Sequence, residues 1–214
     1  MNSPMSEPTP MRVRITYAKR GMLRYTGHLD LQRVWERTLR RSGLPVLFSQ
    51  GFNPLPRLQL AGALPLGIES SCEVMDFWLE EKMELLEIAR QLKAALPPGL
   101  EVSDLQEVDP HSPALEMLLR SAEYVVTFKE PIDQAELEKK VAGVLAAREL
   151  PRERRGKAYD LRPLLEGLRV EPDGGLWMKL AVRPGATGRP EEVLSVLGLS
   201  WTDTLIDRTN LTIQ

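Results

Sequence analysis

From Arg12 to Tyr17 (RVRITY) basic or hydroxylated residues alternate with apolar ones, the period-two pattern of a strand with one face on a core. The period then changes. Over residues 29–42, Leu31, Val34, Trp35, Thr38 and Ser42 fall on one side of a helix, which Gly43 and then Pro45 bring to an end. Residues 46–49, 57–64 and 72–80 read as strands separated by the turn-forming stretches QGFNPLP and PLGIESS. Residues 83–96 repeat Leu85, Ile88, Ala89 and Leu92 at helical intervals, with Glu80, Glu81 and Glu84 near the start, where the helix dipole favours acids. LPPG stops that helix, and residues 100–108 return as a strand.

The turn-rich DPHSP follows, then a short connecting helix over residues 114–120 that Ser112 and Pro113 are placed to start. The second half repeats the order of the first. It reads as strand AEYVVTFK, helix 133–147, strands around YDLRPLL, LRVEP and LWMKLAV, helix 190–197 and strand TDTLIDRTNLTI. PDGG at 172–175 is a hairpin signal between two of those strands. Two βαβ-like halves with hairpins in their middles predict an α+β fold of two tandem ferredoxin-like (βαββαβ-type) domains with antiparallel sheets. The expected division is a disordered tail over 1–10, a first domain over 11–108, a linker over 109–121 and a second domain over 122–214. The repeat is one of element order, not of residues.

Composition narrows the chemistry. With 43% hydrophobic and 27% charged residues in 214, the chain has the make-up of a soluble globular protein. No run approaches the roughly 18 apolar residues needed to span a bilayer, and residues 1–10 lack the basic start and apolar stretch of a secretory signal. A cytoplasmic location is therefore expected. Cys72 is the only cysteine, which excludes an intrachain disulfide and any cysteine-built zinc or iron–sulfur site within this sequence; it reads as a small core residue. His28 and His111 are the only histidines, so no metal site is expected. Neither GxxxxGK[ST] nor GxGxxG occurs, which argues against an ATP-driven or dinucleotide enzyme.

The overall charge of -2 conceals an uneven distribution. Residues 12–67 hold ten basic side chains against Asp30 and Glu36 alone, a net of +8, which leaves -10 on the remainder. On the predicted helix Arg33, Arg37, Arg40 and Arg41 lie opposite the apolar side, with Glu36 as the one acid in the helix body. Like charges at i,i+4 repel, so the stripe is either a solvated face or a surface built for an anion. Asp30, in the first turn, reads as a cap of the helix N-terminus. His28 sits just before the helix and serves either structurally or as a general acid or base beside a bound phosphate. In SQGFNPLPRLQLAGALPLG, Ser49, Gln50 and Asn53 flank Phe52, and Arg57 adds charge; the segment is either a rigid turn or a base-stacking loop. Two further signals follow: the basic stretch RELPRERRGKAYDLRP, which reads as an exposed loop feeding a strand, and RPGATGRPEE, which sets Gly185 and Gly188 ahead of a helix.

Residues 23–76, LRYTGHLDLQRVWERTLRRSGLPVLFSQGFNPLPRLQLAGALPLGIESSCEVMD, resemble the opening signature of the radical-SAM-linked bacterial proteins, a domain of unknown function. YDLRPLL and DRTNL resemble that family's weaker downstream motifs, while Gly27 stands where a serine or another small residue is common. The resemblance implies a neighbour or fusion partner that is a radical SAM protein with a cobalamin-binding-type domain, in gene neighbourhoods with ribonuclease E/G and ribosomal proteins. It implies no cofactor in this chain; S-adenosylmethionine and an iron–sulfur cluster belong to the partner alone. The expectation is an RNA-binding accessory that presents tRNA or rRNA to that enzyme, with Arg24, Arg33, Arg37, Arg40, Arg41 and Arg57 on phosphates and Gln50, Phe52 and Asn53 on bases. Two alternatives stay open. One is a metal-independent endoribonuclease, similar in architecture to the CRISPR repeat-processing enzymes, with His28 as its catalytic residue; the other is a protein–protein adaptor without RNA binding.

Overall fold

The structure, a computed structural model, describes residues 10–214, so all but the last residue of the expected tail lies outside the described residues. Among the described residues, eleven strands, five α-helices and three short 3-10 turns follow one another as an α+β fold, nine of the strands forming one mixed sheet. The chain divides into two units, one of described residues up to Leu66 with Glu73–Glu116, the other of Gly67–Cys72 with Met117–Gln214.

The first unit contains β1 (Met11–Lys19), a 3-10 turn (Gly21–Tyr25), α1 (His28–Ser42), β2 (Leu58–Leu60), most of β3 (Glu69–Leu79), α2 (Leu85–Ala95) and β4 (Leu100–Val108). Its strands lie in the order β4-β1-β3-β2. Alternation in β1 sends Val13, Ile15 and Tyr17 into a core with Met75, Phe77 and Leu79 of β3, Leu31, Trp35 and Leu39 of α1, and Ile88 and Leu92 of α2. The ring edge of Tyr17 meets Trp35 at a centroid distance of 4.8 Å. α1 stops where Gly43 takes φ 76, a left-handed conformation that suits glycine.

β1 differs from its expected one-sided pattern because it lies between two other strands and both its faces are covered. Arg12, 1% exposed, donates through Nε to Asp76 at 2.8 Å and through its two terminal nitrogens to the carbonyls of Ser112 and Pro113. Arg14 donates to both oxygens of the same carboxylate. Lys19, also buried, donates to the carbonyl of Thr26 at 2.8 Å. Three of the basic residues counted in the net +8 are thus spent on the interior, and the surface excess is correspondingly smaller.

Strand content in 46–64 is less than the pattern predicts. Only Leu58–Leu60 forms a ladder, while Val46 and Phe48 make isolated bridges to Leu79 and Pro56. The helix predicted over 114–120 shrinks to α3 (Leu115–Leu118).

In the second unit β5 (Leu119–Phe128) leads to α4 (Gln134–Ala146), whose N-terminus Asp133 caps by accepting from the Glu136 N–H. β6 (Pro151–Arg154) and β7 (Lys157–Asp160) form a separate hairpin where an exposed loop feeding a strand was expected. Then come β8 (Leu165–Val170), β9 (Leu176–Arg183), β10 (Ala186–Thr187), α5 (Pro190–Val196) and β11 (Thr204–Ile213). PDGG closes the β8–β9 hairpin as its turn chemistry predicts. The strands here run β8-β9-β5-β11, all antiparallel, with Glu69 and Ser70 of β3 parallel to β11. Cys72 is half-buried, its thiol donating to the Arg208 carbonyl at 3.2 Å. No helix among the described residues is long and apolar enough to cross a membrane.

Candidate nucleic-acid interface

α1 turns Leu31, Trp35, Thr38 and Leu39 inward and leaves Arg33, Arg37, Arg40 and Arg41 exposed. Leu39 and Glu36 join the buried side, which the sequence pattern did not assign to them. Glu36 accepts from Gln32 at 3.0 Å and makes no ion pair with the arginines, so the one acid of the helix body is withdrawn from the stripe. Asp30 does not cap the helix. Gly27 occupies the N-cap position without a side-chain bond, and Asp30 instead pairs with Arg33 at 3.0 Å, both groups well exposed. A pair so open to water contributes little to stability.

The four arginines have different surroundings. Arg41 donates to the carbonyl of Ala95, the last residue of α2, where a cation meets the negative end of that helix. Arg40 donates to the Pro54 carbonyl at 2.6 Å and lies 5.1 Å from the Phe48 ring. Arg37 has no hydrogen-bond, ion-pair or ring partner among the described residues.

Arg40 fastens the helix to the loop that follows. The loop is closed at its base, where the Ser49 N–H donates to Leu55 and the Ser49 hydroxyl accepts from the Leu55 N–H at 3.1 Å. The Ser49 hydroxyl accepts at the base of the loop and keeps its own O–H as a donor. Gln50, Phe52 and Asn53 at the tip are all exposed, and the Phe52 ring is fully so. Both faces of the ring are open to solvent, the exposure that stacking on a base requires.

Arg24 and His28 lie at the other end of α1. Arg24 donates to the Tyr25 hydroxyl at 2.8 Å and covers its ring. His28 is the first residue of α1, half-buried, with Nδ1 enclosed and lacking a hydrogen-bond partner among the described residues. Arg57 does not join this surface. The register Gln59↔Asp76 puts Arg57 on the sheet face opposite α1, 4.4 Å from the Trp78 ring that Arg12 also approaches. Period-two counting from Leu58 and Leu60, both packed on the core, would have found that placement.

A family model described as an uncharacterized protein conserved in bacteria (DUF2344) matches residues 12–190. No curated protein matches. Among solved structures, a chain of the crystal structure of a Cbf5-Nop10-Gar1 complex aligns with 93% of this sequence at 9% identity and a TM-score of 0.43. This sequence spans 48% of that chain, and at such similarity the match assigns neither fold nor function.

Proposed function

The chain belongs to DUF2344, a family of uncharacterized bacterial proteins, and from that premise we propose that it is an RNA-binding accessory protein which presents tRNA or rRNA to a partner radical SAM enzyme. The observation that carries the RNA reading is the unpartnered Arg37 on a helix face joined through Arg40 to a loop that exposes Phe52, Gln50 and Asn53. Cations for phosphates beside an aromatic ring for a base are the parts of a single-strand binding surface. Arg33 extends the track along α1. The radical SAM protein with its cobalamin-binding-type domain enters through the resemblance of residues 23–76, and the cofactors of that chemistry stay with the partner.

We also read the two units as tandem ferredoxin-like domains. The orders β4-β1-β3-β2 and β11-β5-β9-β8, each with a helix after its first and third strands, support that reading.

The test is RNA binding across a salt series. Each phosphate contact on a single strand contributes roughly 0.7 to the slope of log affinity against log salt. Replacing Arg37 and Arg40 together by alanine is expected to weaken binding and flatten that slope by about 1.4. An unchanged slope removes α1 from the interface. Cleavage of the RNA in excess EDTA that disappears in His28→Ala would replace this reading with the endoribonuclease.

A further inference from the structure

In the second unit a groove of about 500 Å³ joins two segments distant in the chain, the β6–β7 hairpin and the turn between β9 and β10. Its size falls within the range of about 300–1,000 Å³ common for small-ligand sites. Arg154, Lys157, Tyr159, Asp160 and Leu164 line one part of it, and Gly185, Ala186 and Thr187 another.

The charge arrangement of the hairpin is unusual. Arg154 and Lys157 are directly opposed cross-strand partners at the hairpin tip. Like charges in that position destabilise a hairpin unless something neutralises them. Of the cations nearby, Arg152, Arg162 and Arg189 have partners of their own, whereas Arg155, in the turn between Arg154 and Lys157, has no ion pair or side-chain hydrogen bond among the described residues. Arg152 is paired with Glu192 at 2.8 Å, Arg189 with Glu191 at 3.3 Å, and Arg162 donates to the carbonyls of Ala147, Leu145 and Leu165. Arg154 and Lys157 have no ion pair or side-chain hydrogen bond among the described residues.

Of the remaining lining residues, Tyr159, Asp160 and Thr187 carry polar side chains. Tyr159 is half-buried, and its phenol is held above the usual range by burial first and by the Glu192 charge second, so it remains a hydroxyl donor at neutral pH. The Thr187 hydroxyl is exposed and donates to the Arg183 carbonyl at 3.3 Å, which leaves its lone pairs available. Oδ1 of Asp160 accepts from the N–H groups of Leu150 and Arg162, so the carboxylate is fixed in place while Oδ2 stays available. Among the lining side chains, two cations and this one anion leave a single net positive charge. That balance suits one phosphate rather than a polyphosphate, and a fixed carboxylate oxygen beside it suits a sugar hydroxyl or a base N–H.

We propose that this groove binds a single nucleotide, its phosphate between Arg154 and Lys157 and a ribose hydroxyl or base N–H at Asp160. The nucleotide is either free or one residue of a polynucleotide. The inference uses only residues of the second unit and does not rest on the reading of α1.

The test is calorimetric titration of the full chain with 5′-AMP, 5′-UMP, inorganic phosphate and a single-stranded ribo-oligonucleotide. At least one nucleotide is expected to bind saturably and more tightly than inorganic phosphate. Arg154→Gln with Lys157→Gln should weaken that binding by about tenfold or more, since each charge-assisted hydrogen bond lost carries that order of effect. The Arg37→Ala, Arg40→Ala protein should bind the nucleotide like the wild type, which separates this proposal from the reading of α1. Displacement of the nucleotide by the oligonucleotide assigns the site to a polynucleotide, and nucleotide binding indifferent to the oligonucleotide assigns it to a free nucleotide; both support the groove. Nucleotides that bind no better than phosphate, or an affinity untouched by the double substitution, would overturn it. Should the double variant melt early, Lys157→Gln alone, at an exposed tip position, gives the same comparison with a smaller expected loss.

Discussion

Asp76 holds two guanidinium groups on one carboxylate that is fully buried. Burying such a pair gains little over a well-packed apolar core, but removing one side strands the other charges in a low-dielectric interior. Asp76→Ala is therefore expected to lower the unfolding free energy by about 3–5 kcal/mol in urea titrations, and a loss under about 1 kcal/mol would contradict the pairing. At the surface, Glu87 lies at the opposite extreme. Hydrogen bonds from Arg90 first and Gln91 second hold its carboxyl down at about 2. Because that value is depressed, whatever Glu87 adds to α2 is complete above the ordinary carboxylate range and is lost as pH falls toward about 2. Carbon-13 titration of Glu87 checks this, and Arg90→Gln should return the midpoint toward the ordinary value. The two ion pairs on Asp76 were not legible as such: Arg12 and Arg14 alternate with apolar residues as surface charges do, and their acid lies more than sixty positions away.

Local elements were far more legible. α1 lies within one residue of its expected start and ends where Gly43 and Pro45 place it, because caps and breakers act on the backbone beside them. The β6–β7 hairpin was not seen, since its residues are exposed or half-exposed on both faces and leave no apolar alternation to read. The same applies to β10, a strand of two residues. The join between α2 and β4 offers a test at this scale. Gly99 has φ 90, and a Cβ there would lie 2.7 Å from the Arg20 carbonyl, whose own N–H donates to Gly99 at 2.9 Å. Gly99→Ala should destabilise the protein by more than about 1 kcal/mol, read as a lowered melting temperature. An unchanged melting point would mean that this contact relaxes freely.

Across the whole chain, the contacts place the division between the two units after Glu116, within residues 109–121. Arg12 takes two of its acceptors from Ser112 and Pro113, and Gly67–Cys72 group with the second unit. A fragment of residues 11–108 should therefore melt lower than one of residues 11–116, and equal melting points would show those carbonyls to be dispensable. For the intact protein, co-purification from cell extract before and after nuclease treatment is expected to recover an RNA class together with a radical SAM protein. Recovery of protein alone, indifferent to nuclease, would make the α1 face a docking surface. By itself the sequence determined the order of the main elements, the arginine side of α1, the PDGG turn and the absence of any cysteine cluster, because periodicity, caps and composition are carried by neighbouring residues. Only the tertiary structure decided which charges are internal, that Arg57 lies across the sheet from α1, and that Arg154 and Lys157 share a groove with Thr187. Those outcomes depend on strand register and on contacts between residues far apart in the chain, and a shift of one residue in register exchanges the two faces of a strand.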